Sequence, residues 1–265
     1  MITLEGAGRR YGEVMALQPL DWQVQAGEWW GVIGPNGSGK STLLQLLSGV
    51  EAPSCGTVTV AGRNIRKHSR KELARFIAVL QQEGLPATSF TVREVLEMGR
   101  YPFQGWLGRE PHDPAPLLDS IMEKLDLLVL QNRPVDELSG GQRQRTALGK
   151  VMAQQPTLLL LDEPTTYLDI RYQLQFMEMV SQWRQESGIT IISVLHDLNL
   201  AAQFCDKLLL LQDGRAAGAG PPQDMLTEER LREIFGVDTS IVSHPSNGSP
   251  QVLLTASPRE AQKRE

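Results

Sequence analysis

The stretch Gly34-Pro35-Asn36-Gly37-Ser38-Gly39-Lys40-Ser41-Thr42 fits the pattern G-x-x-x-x-G-K-[ST], in which glycines frame a tight loop. A short apolar segment, Gly31-Val32-Ile33, comes directly before it and is typical of a buried strand. The segment Leu43-Leu44-Gln45-Leu46-Leu47 follows and is typical of a helix. A strand, a glycine-rich turn and a helix in this order are the context that a phosphate-binding loop requires, so residues 34–42 predict one.

Each part of this loop has a physical reason to bind a chain of phosphates. Glycines let backbone N–H groups turn inward, and the positive end of the following helix dipole attracts anions. We expect Lys40 to neutralise the β- and γ-phosphates of a nucleoside triphosphate. We expect the Ser41 hydroxyl to bind the Mg²⁺ ion that bridges the same phosphates. The alternative is a glycine-rich strand-to-helix turn that binds nothing, and the flanking segments make it the weaker hypothesis.

Two carboxylates follow a second apolar run. The segment Leu158-Leu159-Leu160-Leu161 ends in Asp162-Glu163, which places both acids at the carboxyl edge of a parallel sheet, where such folds bind ligands. We expect Asp162 to hold Mg²⁺ and Glu163 to polarise the attacking water. An acidic pair after a strand is by itself most often a solvated turn. Beside a phosphate-binding loop, however, it is the expected second half of a nucleoside-triphosphate site.

Strand-like and helical segments alternate along the chain, which favours an α/β fold with a parallel sheet. Strands are predicted over residues 31–33, 57–60, 157–161 and 190–194. Helices are predicted over residues 41–48, 94–98, 117–125, 142–153, 171–185 and 198–204. Between residues 91 and 156 the helices follow one another without a convincing strand, which predicts an inserted helical subdomain. Residues 240–243 and 251–255 predict a short hairpin, and residues 257–265 a frayed tail.

The composition excludes several classes of protein. Hydrophobic residues make up 41% and charged residues 22% of the 265 positions, so the chain is neither collagen-like nor disordered and forms one or two domains. A net charge of −5 without a dense Lys/Arg block gives no support for nucleic acid as a partner. The apolar runs are too short to cross a bilayer and the first residues do not resemble a secretory signal, which predicts a cytoplasmic protein. Cys55 and Cys205 are predicted to be ordinary buried or half-buried thiols.

The segment Leu138-Ser139-Gly140-Gly141-Gln142 is the most specific motif of the chain. Ser139, followed three residues later by Gln142, predicts a capping box at the start of a helix. The same segment resembles, at every position, the LSGGQ signature of the nucleotide-binding subunit of ATP-binding-cassette (ABC) transporters. Both interpretations are compatible, because the N-terminus of a helix also binds anions. The resemblance implies that this helix end binds the γ-phosphate of an ATP held by the opposite subunit, and therefore a head-to-tail homodimer.

Four further positions match the same family in their order along the chain. The resemblance implies that Tyr11 stacks on adenine and that Gln82 contacts Mg²⁺ or water and senses the transporter. It also implies that Asp169 crosses the dimer interface and that His196 lies at the γ-phosphate. Taken singly, Tyr11 fits a plain surface aromatic, Gln82 a solvated loop residue and His196 a strand-end histidine. One departure is Gln81, where the family usually has proline, and it leaves the choice between Gln81 and Gln82 as the sensor open.

The resemblance also defines the expected groups of site residues. The residues expected to act in ATP hydrolysis are Lys40, Gln82, Glu163 and His196, and those expected to bind Mg²⁺ are Ser41, Gln82 and Asp162. The residues expected to bind the nucleotide are Tyr11, the loop from Gly34 to Thr42, the signature residues Ser139, Gly140, Gly141 and Gln142, and Asp169. The implied fold is a P-loop nucleoside-triphosphatase core with a parallel sheet, an N-terminal antiparallel β part and the helical subdomain. The implied ABC ATPase domain covers residues 1–236, and residues 237–265 form an extension.

A finer resemblance concerns the branch of the family. The segments Thr165-Thr166-Tyr167-Leu168-Asp169, Gly99-Arg100-Tyr101-Pro102-Phe103 and 196–202 are similar to those of importers of iron chelates, vitamin B12 and haem, and the first favours ferric siderophores. This resemblance implies transmembrane permease subunits as partners and, through them, a solute-binding protein. It also implies a peripheral position at the cytoplasmic face of the inner membrane.

Two alternatives of other classes stay open on the sequence alone. One is a soluble ABC protein that clamps DNA or the ribosome, but such proteins usually carry a long coiled-coil insert or a second cassette, which this chain lacks. The other is a P-loop kinase, which would share residues 34–41 but has no need of the signature at residues 138–142 or of a dimer. Cooperative ATP hydrolysis that depends on protein concentration would separate the ABC protein from the kinase.

Overall fold

The computed structural model describes residues 2–82, 85–86, 88–105, 110–166 and 168–255. Two parts of the sequence predictions lie outside the described residues: Tyr167 of the segment 165–169, and the frayed tail at residues 257–265. The remaining predictions can each be compared with an observed element.

The strands and helices of the described residues are as follows. The strands are β1 (Ile2–Tyr11), β2 (Val14–Val24), β3 (Trp29–Ile33), β4 (Cys55–Val60), β5 (Arg63–Asn64), β6 (Ile77–Leu80), β7 (Leu158–Asp162), β8 (Thr190–Val194), β9 (Lys207–Gln212), β10 (Arg215–Gly220), β11 (Thr239–Ser243) and β12 (Pro250–Leu254). The α-helices are α1 (Lys40–Leu47), α2 (Arg70–Phe76), α3 (Val92–Met98), α4 (Ala115–Lys124), α5 (Gly140–Ala153), α6 (Ile170–Ser187), α7 (Leu198–Phe204), α8 (Pro222–Met225) and α9 (Glu228–Phe235).

The central sheet has the strand order β10-β9-β3-β8-β7-β6. Strands β9 to β6 in this order are parallel, and β10 is antiparallel at one edge. Side chains alternate across a strand, so Leu159 and Leu161 of β7 enter one core cluster while Leu158 and Leu160 enter another. Both faces of the sheet are therefore covered, as the continuous apolar runs predict for β3, β7 and β8.

An antiparallel sheet with the order β2-β1-β4-β5 covers one of these faces. Its residues Leu4 and Val58 share a core cluster with Leu43 and Leu47 of α1 and with the even-numbered leucines of β7. The implied N-terminal antiparallel part is therefore present. Because α1 packs into the cluster that joins the two sheets, its first turn is held at a defined position beside the end of β3.

The described residues of the span 91–156 form the helices α3, α4 and α5 and no named strand, as predicted. Val95 of α3 and Leu148 of α5 belong to the core cluster on the other face of the central sheet. In the described part of residues 91–156, strand-type pairing is limited to one bridge between Thr91 and Pro134. The span therefore links the end of β6 to the signature at the start of α5 through packed helices.

The hairpin at the end of the described chain agrees with its prediction to within one residue. β11 and β12 are antiparallel, with Ile241 opposite Val252, and Pro250 begins β12 rather than ending the turn. Val252 is buried in the same cluster as Ala201 and Ala202 of α7. The hairpin is therefore packed on the helix that follows β8.

Two further predictions from composition can be compared with the structure. Cys205 is buried and Cys55 is half-buried, as predicted. Among the described helices, none combines the length and the apolar character needed to span a membrane.

Candidate functional site

Four neighbouring strands of the central sheet lead into the loop at residues 34–42, His196, the two carboxylates and Gln82. β3 runs into the loop at residues 34–42, and β8 ends two residues before His196. β7 ends at Asp162 and is followed by Glu163, and β6 ends two residues before Gln82. These strands are parallel neighbours in the order β3-β8-β7-β6. Their carboxyl ends therefore meet at one edge of the sheet, where open α/β sheets bind ligands.

Close packing makes the loop at residues 34–42 depend on glycine. Gly39 has a φ of +98°, and a Cβ atom there would lie 2.7 Å from the carbonyl oxygen of Ala16. At Gly34, a Cβ atom would lie 2.1 Å from the carbonyl oxygen of Leu211. Real Cβ atoms do not approach a backbone atom so closely. The loop therefore follows a path that only glycine permits at these two positions.

The first turn of α1 has the properties of an anion site. α1 begins at Lys40, and its N-cap residue, Gly39, makes no side-chain capping bond. The first N–H groups of a helix have no partner within the helix, and the dipole makes this end positive. Ser41 is exposed in this turn. The end of α1 can therefore accept a phosphate group, as the motif predicts.

A turn that the sequence analysis did not single out supports the loop. Gly214, between β9 and β10, donates its N–H to the carbonyl oxygen of Ser38 at 3.1 Å, and it accepts the N–H of Gln18 at 2.7 Å. A Cβ atom at Gly214 would lie 2.9 Å from the carbonyl oxygen of Ala16. The dipeptide Asp213-Gly214 is a turn signal that could have marked this position, but nothing local connects it to residue 38.

Lys40 is buried beside both carboxylates. Lys40 is only 6% exposed. Its Nζ donates hydrogen bonds to the carbonyl oxygens of Gly34 at 2.8 Å and of Pro35 at 2.9 Å. Burial lowers the pKa of the Lys40 ammonium, whereas the charges of Glu163 and Asp162 raise it. The ammonium is therefore held within the loop itself and is attracted by both carboxylates.

Asp162 lies in an environment that disfavours its charge. Burial raises the pKa of the Asp162 carboxyl above its ordinary value, and the negative charge of Glu163 raises it further. The charges of Lys40 and His196 lower this pKa but do not offset the increase. A carboxylate in such a place gains from an additional positive charge, which a metal ion or a lysine supplies.

Glu163 and His196 are in direct contact. The Oε1 atom of Glu163 lies 2.5 Å from Nε2 of His196, and Thr166 donates its hydroxyl to Oε2 of Glu163 at 3.4 Å. Glu163 has a φ of +48°, a left-handed conformation that is strained for a residue with a side chain. Its backbone N–H bonds to the carbonyl oxygen of Val194 at 3.2 Å. Glu163, in its strained conformation, therefore contacts a histidine from the segment that follows the neighbouring strand, β8.

The expected magnesium ligands form a set of oxygen donors. Ser41 offers a hydroxyl, Asp162 a carboxylate and half-buried Gln82 an amide oxygen. Oxygen donors of this kind suit Mg²⁺, which usually takes one or two protein ligands and completes its shell with phosphates and water. Across the described residues there is no group of three His, Cys, Asp or Glu side chains that could hold a metal by itself. The chemistry of these three donors therefore fits Mg²⁺.

The signature forms the capping box that its spacing predicts. Ser139 is the N-cap of α5, and its Oγ accepts the N–H of Gln142 at 3.3 Å. In return, Oε1 of Gln142 accepts the N–H of Ser139 at 2.9 Å. Gln144, in the next turn, donates its side-chain amide to the carbonyl oxygen of Pro164 at 2.8 Å. The start of α5 is thus tied to the segment that follows Glu163.

Asp169 and Tyr11 make local contacts. Asp169 is the N-cap of α6, and its Oδ1 accepts the N–H of Tyr172 at 3.0 Å. Tyr11 is 40% exposed at the end of β1, and its hydroxyl donates to Oε1 of Gln45 on α1 at 3.1 Å. The guanidinium carbon of Arg9 lies 4.8 Å from the centre of the Tyr11 ring. The structure therefore places Tyr11 beside α1 and gives Asp169 a capping contact that the sequence analysis did not predict.

Similarity to known proteins extends over most of the chain. The family described as "ABC transporter" matches residues 17–166 of the chain. The ferric enterobactin transport ATP-binding protein FepC of Escherichia coli (strain K12) is 37% identical over 92% of this chain and 90% of its own length. The hemin import ATP-binding protein HmuV of Rhodopseudomonas palustris (strain BisB5) is 38% identical over 95% of this chain and 96% of its own.

A further relative and a solved structure extend the comparison. The chain spans 57% of the length of the "Uncharacterized ABC transporter ATP-binding protein YvrA" of Bacillus subtilis (strain 168), to which it is 37% identical over 94% of its own residues. The dimeric, post-hydrolysis structure of the ATP-binding cassette MJ0796 with ADP and Pi matches with a TM-score of 0.72, at 25% identity, over 84% of this chain and 99% of that one.

The fold, the loop at the end of β3 and the relatives point to the same family. The central sheet carries the phosphate-binding loop and the carboxylates at one edge, and the family match spans the sequence from β2 to the segment after Glu163. FepC and HmuV, which match over most of the chain, are named as ATP-binding proteins of transport and import. The chain therefore belongs to the ABC transporter family, as one of its ATP-binding and ATP-hydrolysing subunits.

Proposed function

We propose that this chain energises the import of a ferric siderophore by binding and hydrolysing ATP beneath a membrane permease. The observation that carries the ATP-hydrolysing part of this proposal is the group formed by Lys40, Asp162, Glu163 and His196 at the carboxyl edge of the central sheet. This group combines a buried cation for phosphates, a carboxylate for a metal ion and a second carboxylate for water. The segments 165–169 and 196–202 support the iron-chelate branch by their resemblance.

The proposed roles follow from the position of each residue. The phosphates of ATP lie on the amides of residues 34–42 and the first turn of α1, with Lys40 against the β- and γ-phosphates. Tyr11, which lies beside α1, stacks on the adenine. Glu163 orients the attacking water and accepts its proton, and His196 holds Glu163 and reaches the γ-phosphate.

Mg²⁺ would be held by Ser41, Asp162 and Gln82. When bound, it supplies positive charge to the phosphate oxygens. The raised pKa of Asp162 supports this assignment. It shows that the neighbouring positive charges do not fully offset burial and the charge of Glu163, so a bound cation would stabilise the carboxylate.

The signature supplies the second half of the proposed site from another subunit. The N-terminus of α5, from Ser139 to Gln142, is capped but keeps the positive end of its dipole. In a head-to-tail homodimer, this end would face the γ-phosphate of the ATP on the partner, and Asp169 would lie at the interface. The dimeric MJ0796 cassette supports such an assembly by its likeness to this chain.

The proposed position and partners follow from the import relatives. The subunit would lie peripherally at the cytoplasmic face of the inner membrane, on transmembrane permease subunits that receive their solute from a binding protein. The helical subdomain at residues 91–156 would receive the permease, because it joins Gln82 to the signature. We propose residues 1–236 as the ABC ATPase domain and residues 237–265 as an extension.

Replacement of the proposed base tests the hydrolytic mechanism. Glu163→Gln keeps the size of the side chain and removes the proton acceptor, so ATP hydrolysis is expected to fall by about 10²- to 10⁴-fold. ATP binding is expected to stay within a few-fold of wild type, measured by calorimetry. Glu178→Gln changes an exposed glutamate of α6 and serves as the control, with unchanged hydrolysis. Full hydrolysis by Glu163→Gln would refute the role of Glu163.

The transported compound is tested by uptake. The relatives are named for enterobactin and for hemin, and vitamin B12 is the further alternative from the resemblance. Radiolabelled ferric siderophore, haem and cobalamin are added separately to cells that contain the permease and either carry or lack this chain. We expect uptake of the siderophore alone to depend on the chain and to be lost in Glu163→Gln. Dependence of haem or cobalamin uptake instead would identify that compound as the substrate.

A further inference from the structure

The side chain of Asn199 joins α7 to the C-terminal hairpin. Its Oδ1 accepts the N–H of Val252 at 2.7 Å, and its Nδ2 donates to the carbonyl oxygen of Val252 at 3.3 Å. The amide thus pairs with both polar groups of one residue, as a neighbouring strand would. In an antiparallel pair, every second residue points its N–H and C=O outward, and Val252 directs these groups to Asn199. The two bonds fix α7 to one register position of β12.

Asn199 is part of the short segment that carries His196. Oδ1 of Asp197, next to His196, accepts the backbone N–H of Asn199 at 2.8 Å and begins α7. On the other side of His196, Leu195 donates its N–H to the carbonyl oxygen of Val32 on β3 at 3.2 Å. The histidine therefore lies between two attachments, one to the central sheet and one, through Asn199, to the hairpin.

The hairpin is itself well supported, so it can act as a fixed point. Val252 is 7% exposed within the core cluster that contains α7. On β11, Ile241 donates its N–H to Oε1 of Glu228 on α9 at 3.3 Å. Thr255 closes the end of the hairpin by donating its N–H to the carbonyl oxygen of Asp238 at 2.9 Å. A movement of the start of α7 would therefore have to break its bonds to β12.

We propose that Asn199 is a positioning residue that holds His196 against Glu163 by attaching the start of α7 to the C-terminal hairpin. The inference rests on the proposed function, in which these two side chains act in hydrolysis. Nε2 of His196 lies 2.5 Å from Oε1 of Glu163, so a small rotation of the segment separates them. A displacement of about 1 Å at a reacting group can lower the rate on the order of 10²-fold.

The position of His196 can be read without an activity measurement. The sequence contains four histidines, so ring resonances in an NMR spectrum of the full chain are few, and the resonance of His196 is identified by its loss in His196→Ala. In Asn199→Leu, which keeps the size and removes both hydrogen bonds, we expect this resonance to shift. Gln203→Leu replaces an exposed amide on the same helix and is the matched control, with no shift expected. An unmoved His196 resonance in Asn199→Leu overturns the proposal.

A second variant guards against a fold defect in the first. Val252→Pro removes the N–H that Asn199 accepts and keeps a compact apolar side chain at this buried position. The lost N–H points away from β11, and proline is tolerated at strand positions whose N–H does not pair with a neighbouring strand. We expect it to shift the same resonance with native far-UV circular dichroism. If Val252→Pro folds and leaves the His196 resonance unmoved, the attachment to the hairpin does not position the histidine, and the proposal fails.

Kinetics then separate this proposal from the proposed function. In Asn199→Leu we expect kcat for ATP to fall about tenfold or more with the Kd for ATP unchanged, and we expect no further loss when His196→Ala is already present. Equal losses of kcat in both backgrounds would show that Asn199 acts elsewhere and would overturn the proposal. A shifted resonance with an unchanged kcat would support the positioning by Asn199 and contradict the role of His196 in hydrolysis.

Discussion

The surroundings of Asp162 disfavour the negative charge of its carboxyl group, and this has a measurable effect on stability. Because its pKa is raised above the ordinary value of 3.8, the folded protein holds the proton more tightly than the unfolded chain. Stability from this group is therefore full at low pH and is lost as the pH rises through the raised pKa. We expect Asp162→Asn to increase the free energy of unfolding at pH 7, with a gain that disappears as the pH falls below 3.8. Urea unfolding of both proteins across this range checks it, and equal stability at pH 7 contradicts it.

Gly39 allows a second prediction, with Gly37 as its matched control. Both have positive φ, +98° at Gly39 and +78° at Gly37, but a Cβ atom at Gly37 meets nothing within 4 Å. Alanine at Gly37 is expected to cost about 1–2 kcal/mol for the left-handed backbone alone. Gly39→Ala should cost more and weaken ATP binding, because the loop must move away from Ala16. Thermal unfolding measures the loss of stability, and nucleotide titration measures the loss of ATP affinity. Equal losses of stability in the two variants would argue against the close packing of Gly39 on Ala16.

Two helices, α2 and α5, begin with the same kind of serine cap, so the effects of removing each cap can be compared. Ser69 on α2 and Ser139 on α5 each form a capping box. Replacing either serine by alanine is expected to cost about 1 kcal/mol, within a range of 0.5–2 kcal/mol. Only Ser139→Ala should also weaken ATP-driven dimerisation, because only this cap faces the nucleotide in the proposed dimer. Urea unfolding and sedimentation test the pair, and an equal loss of dimer in Ser69→Ala would count against the signature's role.

The elements that the sequence predicts are those with strong local signals. α1, β7 and β8 have apolar runs or a motif beside them, and their observed bounds differ from prediction by at most one residue. β6 is not predicted, because its four residues follow α2 directly and are equally compatible with another helical turn. β10 is rich in alanine and glycine, so its pairing with β9, rather than its own propensity, makes it a strand.

The residues of the site, like the strands and helices, are predictable only where a local sequence signal marks them. Motifs identify Lys40, Asp162 and Glu163, because the chemistry of phosphate binding requires those residue types at those spacings. The contact between Glu163 and His196 and the bond from Gly214 to Ser38 join residues that are distant in sequence. Tertiary packing creates such contacts, and no local pattern in the sequence reports them. Local motifs therefore predict candidate residues for the site, while the tertiary contacts that hold these residues in place are not predictable from the sequence.

In the proposed assembly, the whole molecule would be one half of an ATP-driven dimer. The edge of the central sheet carries the phosphate-binding loop and the carboxylates, while the signature lies at the end of a different element, α5. A head-to-tail pair would bring each signature to the ATP of its partner. ATP would then close two subunits together, hydrolysis would release them, and the permease would follow this cycle.

The mass of Glu163→Gln in solution, with and without Mg·ATP, shows whether ATP joins two subunits into a dimer. Slow hydrolysis in this variant preserves the ATP-bound state, so we predict a monomer of 29.4 kDa without nucleotide and about twice that mass with it, by light scattering. Addition of Lys40→Ala, which removes the phosphate contact, should abolish the shift. A monomer under both conditions, with ATP shown to be bound, would contradict the sandwich dimer and the role assigned to the signature.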